Sequence, residues 1–63
     1  MENLIGKRVE LISMNDDPHP IEKGTQGTIR YVGGGVINVS WDNGRKLGLI
    51  IGLDEYKILD QYV

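Results

Sequence analysis

The chain has 63 residues, no cysteine and a single histidine, which limits it to one small domain. Disulfides, thiolate metal sites and histidine-rich metal sites are excluded, and a chain this short buries only ~60% of the surface its unfolded form exposes. A formal net charge of −2 with dispersed basic residues weighs against duplex nucleic acid as a partner, since non-specific binding needs a basic face to neutralise phosphates.

Residues 1–6 carry no basic stretch followed by an apolar segment, so no signal peptide is expected. Residues 7–14 read as a first strand, with Val9 and Leu11 inward and Arg8 and Glu10 outward. Ile12 and Met14 break the alternation, which predicts that the strand bends there. Residues 15–20 form a loop containing Asp16, Asp17, Pro18, His19 and Pro20: proline removes backbone donors and fixes φ, while Asp and Asn favour turns. A second turn over residues 23–27 feeds a strand at 28–32, and Gly33-Gly34-Gly35 is read as a loop tip.

The central segment, residues 36–51, is a hairpin. Asn43-Gly44 first suggests a two-residue type I′ turn. That register would place Ile37, Val39 and Trp41 on the opposite face from Leu47, Leu49 and Ile51. A one-residue slip moves a whole hydrophobic set to the wrong side. A three-residue loop, Asp42-Asn43-Gly44, removes the conflict when it forms a type I turn with Gly44 in the left-handed region as a bulge. Val39 then faces Leu47, Ile37 faces Leu49, and Trp41 sits opposite Arg45.

Residues 52–56 are expected to form a single tight helical turn before a closing strand at 57–59, and residues 60–63 to fray. The longest apolar run, residues 47–53, is broken by glycines and falls far short of the ~20 residues that cross a bilayer. Nine glycines and no long helical period predict an all-β chain. Short strands, a long first loop and a one-turn 3-10 helix before the last strand describe a small five-stranded SH3-like barrel spanning residues 1–63. Its expected core is Val9, Leu11, Ile29, Val32, Ile37, Val39, Leu47, Leu49, Ile51 and Ile58.

The ordered pieces Gly6-Lys-Arg-Val-Glu-Leu-Ile-Ser-Met14, Asp17-Pro18, Gly24-Thr-Gln-Gly-Thr28, Ile37-Asn-Val-Ser-Trp-Asp-Asn-Gly44, and Leu47-Gly-Leu-Ile50 followed by Gly52-Leu-Asp54 span nearly the whole chain. In these the sequence resembles the short bacterial and phage domains with an SH3-like barrel that are grouped as a domain of unknown function. The resemblance implies a phage or mobile-element setting and a cytoplasmic, non-enzymatic role. It carries over no catalytic residues. The absence of cysteine also fits a reducing cytoplasm.

Trp41 has two readings, a core lid with its indole N–H satisfied at the rim, or an exposed platform for a peptide, base or sugar. Arg45 and Lys46 beside it are either a solvated hairpin end or anion-pairing groups. Asp17 and His19 stand in the loop that flanks the usual ligand groove of SH3-like barrels. His19 has no second nitrogen ligand, so no metal site is expected. Tyr31 and Tyr56 read as core-edge residues, with recognition as the alternative. The Gly24 to Gly27 stretch lacks the following Lys-Ser/Thr of a phosphate loop, and no nucleophile–base set can be assembled.

The expected function is therefore a non-catalytic adaptor or inhibitor that binds a host protein, including a defence component, and uses no cofactor. The alternative is a homo-oligomeric sponge for a nucleotide or nucleotide-derived signal. There Arg30, Arg45 and Lys46 of neighbouring subunits would surround phosphates while Trp41 or Tyr31 stacks on a base. Single-stranded nucleic-acid binding ranks below both, because it needs a basic stripe.

Overall fold

The structure is a computed structural model that describes residues 4–14 and 18–59. Five antiparallel strands, β1 (Arg8–Ser13), β2 (Gln26–Gly33), β3 (Val36–Trp41), β4 (Lys46–Ile50) and β5 (Glu55–Leu59), form one sheet in the order β4-β3-β2-β1-β5. β2, β3 and β4 run as a meander, and β5 returns to pair with β1. The ladders leave β4 and β5 as the two edges, so hydrogen bonding does not close the sheet into a cylinder. Among the described residues there is no helix, and none long and apolar enough to cross a membrane.

The strands exist because their apolar residues alternate, and alternate residues share a face. Cross-strand rows assemble the inner face. Ile58, Val9, Gly27 and Trp41 align in one row. Ile29, Val39 and Leu47 make a second, and Val32, Ile37 and Leu49 a third. Val9, Leu11, Ile29, Ile37, Val39, Trp41 and Leu49 are buried there with Ile21, which the first long loop contributes. Leu4, Met14, Val32, Leu47, Tyr56 and Ile58 pack around this cluster.

The central hairpin takes the three-residue loop. Val39 pairs with Leu47 and Ile37 with Leu49, Gly44 has φ +91°, and its N–H donates to Trp41 O at 3.0 Å. Trp41 N–H donates to Arg45 O at 2.8 Å, closing the ladder at the bulge. Gly34 and Gly35, at φ +61° and +79°, form the tight connection from β2 to β3. Positive φ at both central residues is the requirement of a type I′ turn, so two of the three glycines serve that turn while Gly33 belongs to β2.

Three expectations need correction. Residues 52–54 form a turn and not a 3-10 helix, and Glu55 and Tyr56 already belong to β5. Leu53 and Asp54 N–H both donate to Ile50 O, at 3.1 and 3.0 Å. Gly52 at φ +92° reverses the chain before a helical repeat can continue. Asp54, only 8% exposed, fixes this turn by accepting the Ile50 N–H on Oδ2 at 2.9 Å. Ile51 is not core: it follows the last residue of β4, where strand alternation has ended, and is 50% exposed. β2 starts at Gln26, ahead of the expected residue 28, because Gly27 is a core position facing Val9 and Trp41 and not a turn residue.

Two register shifts bend the sheet. One lies between Leu11 and Ser13 on β1, at the Ile12 position where alternation fails in the sequence. The other lies between Ile29 and Tyr31 on β2, making Arg30 the extra residue. Bulges of this kind add local twist and re-aim side chains. Between them Gly27 permits close approach of β2 to the inner row. A Cβ there would lie 2.6 Å from Val39 Cγ1, 2.7 Å from Ser40 O and 3.0 Å from Trp41 Cα. Two of these are backbone atoms of the paired strand and cannot move aside singly. Gly27→Ala is accordingly expected to cost about 1–3 kcal/mol by overpacking, measured by urea unfolding; a stability unchanged from the wild type would show that β2 can shift outward freely.

Candidate functional site

Trp41 closes one end of the core. Its indole is 3% exposed, and Nε1–H donates to Leu47 O at 2.9 Å. Of the two readings of this residue, the lid is the one that the burial bears out. The exposed stacking platform is corrected: the inward row Ile58–Val9–Gly27–Trp41 turns the side chain into the core. The remaining candidate residues are consequently organised without an exposed indole.

Arg45 and Lys46 are both exposed but diverge. Arg45 N–H donates to Asn43 Oδ1 at 3.0 Å, tightening the turn. Its guanidinium Nη1 approaches Pro20 O at 3.4 Å, a long contact that brings the hairpin end to the first loop. Pro18 and His19 are exposed beside Pro20 in that loop. Asp16 and Asp17 lie outside the described residues.

Lys46 instead starts β4 opposite Ser40, so its side chain joins the outer face of the sheet. There Arg30, Asn38, Ser40, Lys46 and Gly48, over the strand backbone at Val39 and Leu47, line a shallow pocket of about 180 Å³. The bulge on β2 places Arg30 at this pocket, across β3 from Lys46. Tyr31, 60% exposed, is on the same face opposite Asn38. Tyr56 is half-buried against the core. The candidate residues thus separate into two places: Arg45 with the first loop, and Arg30 with Lys46 in the pocket.

Sequence reasoning missed the electrostatic organiser of this surface. Arg8, on β1, donates from Nη1 to Thr28 Oγ1 at 2.9 Å and to Asp42 Oδ1 at 3.0 Å. Its Nη2 engages Asp42 Oδ2 in a paired, fork-like contact. This bidentate pair spans β2 and ties β1 to the β3–β4 turn. It also occupies the one carboxylate of that turn. The side chains of Arg30 and Lys46 make no ion pair or hydrogen bond among the described residues. Asn38 and Ser40 were also missed. Their positions were legible in the register, since they alternate with the inward Ile37, Val39 and Trp41.

In comparison with known proteins, residues 3–59 match the family described as Domain of unknown function (DUF4314). With that much of the chain matched, the protein belongs to this family. No curated protein and no solved structure matches it.

Two outcomes follow from this geometry. Trp41→Ala removes a buried ring and a satisfied donor, and is expected to destabilise by about 3–5 kcal/mol, read by thermal or urea unfolding; a mild effect would contradict the lid assignment. The Arg8 hydrogen bond holds the Asp42 carboxyl below its ordinary value, opposed by desolvation and reinforced to a lesser extent by the Arg8 charge, while Arg8 is pushed further up and stays protonated. A folded-state pKa below the unfolded one stabilises the fold above the unfolded value of about 3.9, and that contribution disappears as pH falls through the lower folded value. Unfolding followed from neutral pH into this acid range should show this component in the wild type and lack it in Asp42→Asn. Identical pH profiles would dissociate the pair from stability.

Proposed function

We propose that this member of the family is a non-catalytic binding module with an SH3-like barrel, and that it captures a protein partner at the end of the sheet where the first loop meets Arg45. The strand order supports the barrel reading. A β2-β3-β4 meander with β5 returned to β1, bent by bulges on β1 and β2, is the arrangement by which a short sheet wraps onto one core. In SH3-like barrels the first long loop flanks the ligand groove, which favours the loop end as the contact surface.

The observation that carries this reading is the approach of Arg45 Nη1 to Pro20 O at 3.4 Å. It sets a planar cation against Pro20, in a loop segment that also exposes Pro18 and His19. Proline holds its backbone in one φ range, so a partner meets a surface with little entropy left to lose. A guanidinium with spare donors adds directional contacts to carboxylates or carbonyls. Arginine is among the residues enriched at interface hot spots. The shallow outer pocket, at about 180 Å³, lacks the depth of a reaction cleft, which supports a binding role over catalysis.

The sequence resemblance supplies the rest of the proposal. A phage or mobile-element setting makes the partner a host protein in the bacterial cytoplasm, including a component of host defence. Affinity capture followed by mass spectrometry tests it with wild type, Arg45→Glu and His19→Ala. A partner held by the wild type should be lost from Arg45→Glu and weakened by His19→Ala, with all three unfolding cooperatively at similar midpoints. The same partners at the same yield on Arg45→Glu would refute the surface.

A further inference from the structure

The pocket on the outer face of β2, β3 and β4 lies apart from the Arg45 surface and has a chemistry of its own. Its rim carries two cations from different strands, Arg30 and Lys46, and between them the hydroxyl of Ser40 and the amide of Asn38. Neither cation has an ion pair or hydrogen bond among the described residues. The nearest turn carboxylate, Asp42, is engaged by Arg8. Solvated cations are ordinary on a protein surface. Two of them converging on one concavity lined with neutral donors are a different matter, because each raises the affinity of the other for a shared anion.

The backbone points the same way. Arg30 reaches the pocket because the β2 bulge inserts it as the extra residue between Ile29 and Tyr31, and bulges recur where a side chain must be re-aimed. Gly48 sits in the interior of β4 without positive φ, so no turn requires it. A Cβ on Gly48 would lie 2.6 Å from Val36 Cγ1 and 3.6 Å from Asn38 Oδ1. Val36 faces Ile50 at the far end of the hairpin and is outside the pocket lining. On the side toward Lys46 the bare strand forms part of the pocket wall. Val36 thus takes the space that a side chain at Gly48 would fill, and the strand stays low beside Asn38.

We propose that this pocket binds a phosphate-type anion. Arg30 supplies a forked pair of N–H donors, Lys46 a compact charge, and Ser40 and Asn38 neutral hydrogen bonds to the remaining oxygens. The volume accommodates a single phosphoryl group and leaves its ester substituent outside. Tyr31 is exposed on the same face opposite Asn38, but its ring lies over Gly33 and outside the pocket lining. The anion is free phosphate or the phosphate of a nucleotide; the chemistry of capture is common to both. This inference is independent of the protein-binding surface, since Arg45 and residues 18–20 take no part in it.

The test is a titration of isotope-labelled protein at low ionic strength, following backbone amide shifts, with inorganic phosphate in one arm and adenosine monophosphate in the other. Saturable shifts are expected at Asn38, Ser40, Lys46, Leu47 and Gly48. Arg30→Ala and Lys46→Ala should each weaken binding by about tenfold or more, the loss that follows when a charge-assisted hydrogen bond is removed. Arg45→Ala should leave it unchanged. All three positions are exposed, so the variants are expected to keep the wild-type spectrum elsewhere. Tighter binding of the nucleotide than of phosphate would assign the anion to a nucleotide. Equal affinities would assign it to free phosphate. Absence of saturation in both arms, or affinities indifferent to Arg30 and Lys46, would overturn the proposal.

Discussion

The pairing of Val39 with Leu47 across the β3–β4 hairpin is the constraint on which the remaining structure hangs. A strand has only two faces, so one hairpin register decides the fate of every residue from Val36 to Ile50. With Gly44 left-handed and three residues in the loop, Ile37, Val39, Trp41 and Leu49 are gathered on one side. Asn38, Ser40, Lys46 and Gly48 are then collected on the other. The core and the polar pocket are two consequences of a single register.

That register alone would give only the ordinary right-handed twist of a two-stranded ribbon. Curvature comes from local departures elsewhere: an extra residue on β1 near Ile12, another on β2 at Arg30, and a close approach at Gly27. The second has a consequence beyond bending the sheet. The Arg30 bulge delivers a guanidinium to the outer face. Gly27 lets the β2 backbone close against Val39 Cγ1 and the β3 backbone at Ser40 and Trp41. Ile21, buried from the long first loop, adds a side chain to the core that the strands do not carry. In a domain this small, features that shape the fold and features that shape its surface fall on the same residues.

Electrostatics divides the surface further. Asp42 stands in the turn beside Arg45 and Lys46, and from sequence the neutralisation of one of them would be the simplest outcome. Arg8 takes the carboxylate instead, from across β2, with Thr28 Oγ1 completing the donor set. A bidentate guanidinium–carboxylate pair is geometrically more demanding than a contact with a flexible lysine. The local cations are therefore left available for partners, one toward the first loop and the other toward the pocket.

Much of this was legible in the chain itself. Period-two alternation marked β1 and the central hairpin. The conflict between a two-residue turn and the hydrophobic pattern selected the correct loop length, and the broken alternation at Ile12 marked a bend. These features are local or span one hairpin, so the sequence determined them through steric and hydrophobic periodicity. The depth of burial of Trp41, the role of Gly27, the exposure of Ile51, the Arg8–Asp42 pair and the meeting of Arg30 with Lys46 were decided only by tertiary structure. Each depends on residues brought together from separate strands or on where a turn cuts a strand short, and no one-dimensional pattern records which neighbours the folded sheet will supply.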